Sequence, residues 1–347
     1  MNTAQSELQK AAVQGEQAGP SVEKVFETMT AYQQTAALKA AIELDLFTAI
    51  GEGLNTASSL ARKISGSERG VRIICDYLVV IGFLTKRNNL YGLTADSAVF
   101  LDKKSPAYAG SMKNFVASPL MMAGFKDLAT VVRSGRPLTD QPFSGVEHPM
   151  WVEFARSMVP FIYRAAQETA KLLSCESEMK VLDVAAGHGL FGITIAQRNP
   201  KARIVALDFP SVLTVADENS RLAGLSHRYS LLPGDALEVD LGTGFDVVLI
   251  PNVLHGWDRA TNEVVLKKAY RALAHKGRAI VVEFAPNEDR VSPRTPAMFA
   301  LMMLGLNQGD AYTVPEHWEM LSNAGFSNFQ VHSLLPTPFT AIVASKE

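Results

Sequence analysis

KVLDVAAGHGLFGITIAQRNPKARIVALDFP, Lys180 to Pro210, is the stretch that decides the fold. Val181, Leu182 and Val184 make a short apolar strand around Asp183. Gly187 and Gly189 permit a tight turn and a close backbone approach. Leu190 to Gln197 is helical in composition and stops before Asn199-Pro200. Arg203 to Leu207 is a second apolar strand, and it ends on Asp208. Strand, glycine turn, helix and strand form a βαβ unit. The acid at the tip of its second strand lies about twenty residues past the glycines, as nucleotide binding requires.

The glycine spacing separates the possible ligands. A dinucleotide site uses G-x-G-x-x-G to seat a pyrophosphate on a helix N-terminus. That pattern can be laid on Gly187, Gly189 and Gly192, but Asp183 then stands four residues before the first glycine, where its charge opposes a diphosphate. A carboxylate there suits a ligand carrying a cation. S-adenosylmethionine (SAM), with its ammonium, sulfonium and ribose diol, fits. The competing assignment is an NAD or FAD unit.

The chain has 347 residues, 47% of them hydrophobic, which is enough for two domains with full cores. Lys and Arg number 33 against 35 Asp and Glu, and no basic run points to nucleic acid. Cys75 and Cys175 are isolated, so neither a disulfide framework nor a zinc site is expected. The histidines form no H-x-E or H-x-x-x-H cluster, so no metal site is expected. Residues 1–20 read as a polar, disordered leader without the apolar core of a signal peptide. The longest apolar run, Ala297 to Leu306, is too short to span a bilayer. A soluble, cytoplasmic protein is the expectation.

Outward from the central unit, residues 21–104 show helices and then a hairpin turning at Arg87-Asn88-Asn89. That is a winged-helix layout. The helix in the recognition position, ERGVRIICDYLVVIGFL, carries Arg69 and Arg72 and is otherwise nearly all apolar, which fits a partner subunit better than DNA. Residues 105–173 read as a helical connector, with a linking loop over 134–147 and a long helix from Pro149 interrupted at Pro160. Phe154 and Met158 on that helix are candidate substrate contacts, although such stripes also serve as interdomain core. Residues 174–347 are α/β. Strands are predicted at 180–184, 203–208, 229–233, 245–251, 278–284, 328–334 and 339–344, in a mostly parallel seven-stranded sheet.

Ligands of open parallel sheets bind beyond the carboxyl ends of the strands. The residues there are Asp183, then Asp208-Phe209, then Gly234-Asp235-Ala236, then Asn252 to Trp257, then Glu283. Asp183, Asp208, Phe209, Gly234, Asp235, Ala236 and Asn252, with Gly187 and Gly189, make the candidate cofactor site. Asp208 would take the ribose hydroxyls and Asp235 the adenine amine. A single acid after a strand is as often a turn residue as a ligand, but acids at successive tips favour the ligand reading. His255, in IPNVLHGWD, is the catalytic candidate. An imidazole, with a reference pKa of about 6.5, is a base at neutral pH, and a phenol, near 10, needs one to react. Glu283 is placed to hold its other ring nitrogen. Met298, Met302 and Tyr312 join Phe154 and Met158 as expected substrate-lining residues. His188, in the glycine turn, reads as facing solvent.

Motif I, LDFP, GDA, His-x-Trp-Asp and VVEF together resemble the dimeric small-molecule O-methyltransferase family, over residues 21–345. The resemblance implies a Rossmann-like SAM methyltransferase domain behind an N-terminal all-helical winged-helix dimerisation domain. It also implies a homodimer, SAM as cofactor with S-adenosylhomocysteine as product, and His255 as general base. Three positions depart from the pattern. Gly256 stands where an acid often follows the base, and Pro251 replaces a lysine. The segment Asn307-Gln-Gly-Asp-Ala-Tyr-Thr313 lacks a glutamate that flanks the base, leaving Asp310 or Tyr312 as substitutes, or as part of a cap for the helix at 315–324. The expected reaction is methyl transfer to a hydroxyl of a small, apolar, aromatic molecule. The alternatives are a thiol acceptor, which ionises near pH 8.5 and needs less basic help, a SAM-binding relative without transfer, or a winged-helix regulator.

Overall fold

The computed structural model describes residues 20–138 and 147–347. The expected leader falls almost wholly outside them, as does most of the expected linking loop. The chain divides into two compact units, 1–106 and 107–347. The connector expected as a separate segment from 105 to 173 therefore belongs to the second unit. The reason is shared core: Ile162, Ala165 and Ala166 of the connector pack in one cluster with sheet residues Val181, Ile204 and Val247.

The first unit holds α1 (Val22–Thr30), α2 (Tyr32–Glu43), α3 (Leu46–Gly51), α4 (Ala57–Lys63) and α5 (Glu68–Val80), the hairpin β1 (Leu84–Arg87) and β2 (Leu90–Leu93), and α6 (Ala95–Phe100). The unit is helical apart from the wing, which pairs as the expected hairpin. Asn88 and Asn89 take positive φ at its tip, as a tight primed turn demands. Serine or threonine N-caps at Thr56, Ser67 and Thr94 start three of the helices. Leu46, Phe47, Leu60, Cys75 and Leu78 fill the core. In α1, Val22, Val25, Phe26 and Met29 recur at helical spacing and are all exposed.

The second unit opens with the short helices α7 (Lys113–Val116), α8 (Pro119–Ala123) and α9 (Leu128–Ser134), followed by α10 (Pro149–Ser157) and α11 (Val159–Ala170). The expected interruption near Pro160 falls at Met158, the shared cap of α10 and α11. Proline is accommodated at the second position of α11, where its missing N–H costs no helical bond.

The α/β part follows as β3 (Met179–Val184), α12 (Leu190–Arg198), β4 (Ala202–Asp208), α13 (Pro210–Leu222), β5 (Tyr229–Pro233), β6 (Phe245–Pro251), α14 (Arg259–Ala272), β7 (Leu273–Glu283), α15 (Arg294–Leu306), α16 (Val314–Asn323), β8 (Ser327–Ser333) and β9 (Thr340–Ser345). Sheet order is β5-β4-β3-β6-β7-β9-β8, parallel through β7, with β9 antiparallel to its neighbours. Both faces are covered, and alternate residues show it. Val181, Ile204, Val247 and Ile280 pack on one side, and Leu182, Leu207, Val248 and Val281 on the other. That is why these strands read as unbroken apolar runs. Strand β7 starts five residues earlier than the expected 278. Phe245 pairs with Leu273, and the register then shifts around Lys276, with positive φ, and Gly277 before Val247 meets Arg278. The chain runs from β3 through β4 to β5 on one side and then crosses back to β6 on the other side of β3, so a crevice opens beyond the carboxyl end of β3.

Candidate active site

The glycine turn is built around a buried carboxylate. Asp183 is fully buried, and its Oδ2 accepts the Gly192 N–H at 3.0 Å. A Cβ on Gly192 would stand 2.6 Å from Ile204 Cγ2, and one on Gly189, at φ 74°, would overlap the Tyr229 hydroxyl. Gly192 thus performs the third-glycine role, close packing of helix on strand. Asp183, expected among the cofactor contacts, does not line the cavity beyond the strand tips but holds the turn from behind it. Burial pushes its carboxyl up to about 7. Gly189 lies off the cavity wall too, while Gly187 lines it.

Asp208 ends β4 and faces the cavity. Its Oδ2 accepts the Gly187 N–H at 2.8 Å and its Oδ1 the Phe209 N–H at 2.7 Å, so the acid and the turn fix each other. Burial raises Asp208 to about 6 against the lowering effect of those two N–H groups, and the charge of Asp235 adds to the rise. Phe209, Gly234, Asp235, Ala236 and Asn252 line the same cavity. Asn252 stands at φ 53°, and its buried Oδ1 has no hydrogen-bond partner among the described residues. An unpaired buried acceptor held by a strained backbone next to two acids is a receptacle for donors on a cationic ligand. The residues present therefore fit SAM.

His255 lies in a short 3-10 turn, 254–256, just past β6. Its Nδ1 donates to Glu283 Oε2 at 2.6 Å, and its backbone N–H reaches Glu283 Oε1 at 3.3 Å. A carboxylate only accepts, so Nδ1 carries a proton, and in the neutral ring Nε2 is then the acceptor. Glu283 is 1% exposed. Burial opposes its ionisation, but the charge and hydrogen bond of His255 outweigh it and hold the carboxyl below its usual range. His317 lies close by. That ring is buried with neither nitrogen hydrogen-bonded to a described residue, and burial drives it down to about 4. Phe299 meets the His255 ring edge-on, centroids 4.8 Å apart.

The cavity measures about 750 Å³, roomy for one ligand. Phe154, Met158, Met298 and Met302 line it. Tyr312, expected beside them, does not. Its hydroxyl donates to the Trp257 carbonyl at 2.8 Å, inside the core. Asp310 pairs with Arg290 at 3.1 Å. Neither takes the place of the missing glutamate at the base. Thr313 and Glu316 form the capping box of α16. His188 is buried rather than solvent-facing, its Nδ1 accepting the Leu190 N–H.

Sequence reasoning misses Trp151, Phe299, Arg294 and Gly309. The first three line the cavity. Gly309 is where a Cβ would overlap the His255 carbonyl oxygen. Its only signal in the sequence is a glycine in an unassigned loop.

A doubly covered parallel sheet with acids at its strand tips and a carboxylate-held imidazole beside them defines a SAM-dependent methyltransferase. An O-methyltransferase dimerisation domain matches residues 26–103 and an O-methyltransferase domain matches 153–327. The chain belongs to the O-methyltransferase family. It is 27% identical over 304 residues to the 3-hydroxy-5-methyl-1-naphthoate 3-O-methyltransferase of Streptomyces sahachiroi, covering 86% of this chain and 87% of that one. A candidate O-methyltransferase of Nostoc punctiforme superposes with a TM-score of 0.91 at 49% identity, over 95% of this chain and all of that one. Human N-acetylserotonin methyltransferase in complex with SAM shares the fold, with a TM-score of 0.84 at 21% identity over 96% and 99%. SAM is the cofactor, and the match to a dimerisation domain supports homodimer formation. Among the described residues no helix is long and apolar enough to cross a membrane.

Proposed function

We propose that the enzyme methylates a hydroxyl of a small, largely apolar aromatic molecule, with His255 as general base. The observation that carries this is the 2.6 Å bond from His255 Nδ1 to Glu283, which leaves Nε2 as a base at the wall of an apolar cavity. SAM supplies an electrophilic methyl group on its sulfonium. Asp208 accepts the ribose hydroxyls, Asp235 the adenine amine, and Asn252 a donor on the cationic end. Phe154, Met158, Met298 and Met302 grip the acceptor ring by soft apolar contact, which tolerates varied outlines. As the acceptor oxygen develops nucleophilic charge, its proton passes to Nε2, and Glu283 stabilises the imidazolium while fixing the ring. Holding oxygen and methyl in line supplies much of the acceleration. Free thiols at Cys75 and Cys175 accord with a reducing, cytoplasmic setting.

The test is His255→Ala. Affinity for S-adenosylhomocysteine should stay within about twofold, while kcat for a phenolic acceptor falls roughly 10²- to 10⁴-fold, the range for a lost general base. Glu283→Gln should give a smaller loss. Undiminished phenol turnover in His255→Ala would refute the base assignment. Unimpaired turnover of an aryl thiol by that variant, with thiol favoured by the wild type, would move the acceptor to sulfur.

A further inference from the structure

The cavity wall is electrically lopsided. Asp208 and Asp235 stand at the strand tips, where the cofactor reading places SAM. Across an otherwise mostly apolar lining stands Arg294, the first residue of α15 and the only arginine or lysine among the lining residues. Its guanidinium makes no hydrogen bond or ion pair with any described residue. Arg290, one turn upstream in the chain, is by contrast paired with Asp310 and, at 2.6 Å, with Glu316. Arg294, Met298 and Met302 follow at intervals of four, so they share one face of α15, and all three line the cavity. Phe299, which carries the edge contact to His255, is five residues on from Arg294, about 7 Å along a helix axis.

We infer that the methyl acceptor is an aromatic acid, and that Arg294 selects it by binding a carboxylate on the ring edge remote from the reacting hydroxyl. This rests on the hydroxyl-methylation reading of the same site. Arg294 is exposed at the cavity wall with its guanidinium donors uncommitted to any described residue, and a carboxylate can take two parallel hydrogen bonds from them. The two acids at the strand tips repel such a group, so only one orientation is favourable. The five-residue offset between Arg294 and Phe299 sets the carboxylate apart from the hydroxyl at His255, which a rigid two-ring acid can span. The charges close into a complement: acids hold the cationic donor, and the arginine holds the anionic acceptor.

Calorimetric titration of the protein loaded with S-adenosylhomocysteine tests this without any turnover. The probes are 6-hydroxy-2-naphthoate and 2-naphthol, which share a ring system and differ in the carboxylate. The wild type should bind the acid about tenfold or more tighter, with the preference shrinking as salt is raised. Arg294→Met should abolish the preference while leaving affinity for 2-naphthol and S-adenosylhomocysteine unchanged, and Arg294→Lys should restore part of it. Equal affinities in the wild type, no measurable binding of the acid, or a preference that survives Arg294→Met would overturn the proposal. Turnover of both compounds with SAM is read separately. Selective binding of the acid with no methylation of either sinks the hydroxyl reading and leaves the anion site standing.

Discussion

Gly309 shows how one missing side chain can hold an imidazole in place. The backbone of 307–310 runs so close to the His255 carbonyl that a methyl group at 309 would overlap it. Gly309→Ala must therefore push either the loop or the turn that carries the imidazole. Displacing a catalytic group by about 1 Å can cost around 100-fold in rate, and overpacking costs about 1–3 kcal/mol. We expect kcat to drop at least tenfold, with affinity for S-adenosylhomocysteine within about threefold and a melting temperature lower by several degrees. Steady-state kinetics with calorimetry checks it, and an alanine variant with unchanged kcat would show that the loop yields freely. At this scale the sequence is legible where chemistry repeats and opaque where it does not. Asp208, Asp235, His255 and Glu283 can be placed because each ends a predicted strand or follows one. Asp183 can be located at a strand end, but not turned inward, since only packing of Gly192 against Ile204 decides that. Tyr312 reads as lining because it is aromatic, while a carbonyl 55 residues away in sequence, on Trp257, captures its hydroxyl.

Elements are easier to read than single residues, because periodicity averages over many side chains. All seven strands of the large sheet are legible, and the main boundary error, at the start of β7, comes from a register shift at Lys276 and Gly277 that alternation cannot reveal. The helix α1 poses a different question. None of its residues is buried, yet Val22, Val25, Phe26 and Met29 form an apolar face. An amphipathic helix with no packing partner in its own unit is a marginal structure in water. A second chain would supply that cover, in keeping with the match to a dimerisation domain that begins at residue 26. Replacing Phe26 and Met29 together by aspartate puts two charges on that face, and desolvating them on association is costly. The double variant should run as a monomer by light scattering at micromolar concentration, where the wild type is a dimer. A double variant that remains fully dimeric would show that α1 lies outside the interface.

For the whole molecule, the buried acids at and behind the strand tips link stability, pH and ligand. Burial is the main cause that raises Asp183 to about 7 and Asp208 to about 6, against about 3.9 in an unfolded chain. A carboxyl raised on folding keeps protons that the unfolded chain releases. Its contribution is therefore fully present below about pH 4 and is lost as pH climbs through 6 and 7. In the unliganded enzyme the loss amounts to a few kcal/mol at most, since each tenfold change in proton affinity is worth about 1.4 kcal/mol. A cationic ligand reverses the balance by favouring the ionised acids, so SAM binding should expel protons near pH 6. The melting temperature of the ligand-free protein should accordingly fall between pH 5 and pH 8, and Asp183→Asn, which removes a buried charge without touching the cavity wall, should flatten that slope. The rise in melting temperature from saturating SAM should be larger at pH 8 than at pH 5. Calorimetry at pH 6 in buffers of different ionisation enthalpy would count the released protons directly. If SAM stabilises equally at both pH values and no proton is released, the acids at the strand tips are already ionised in the empty site. The carboxylates would then be held by the N–H groups of Gly187, Phe209 and Gly192 alone, without help from the donor's charge.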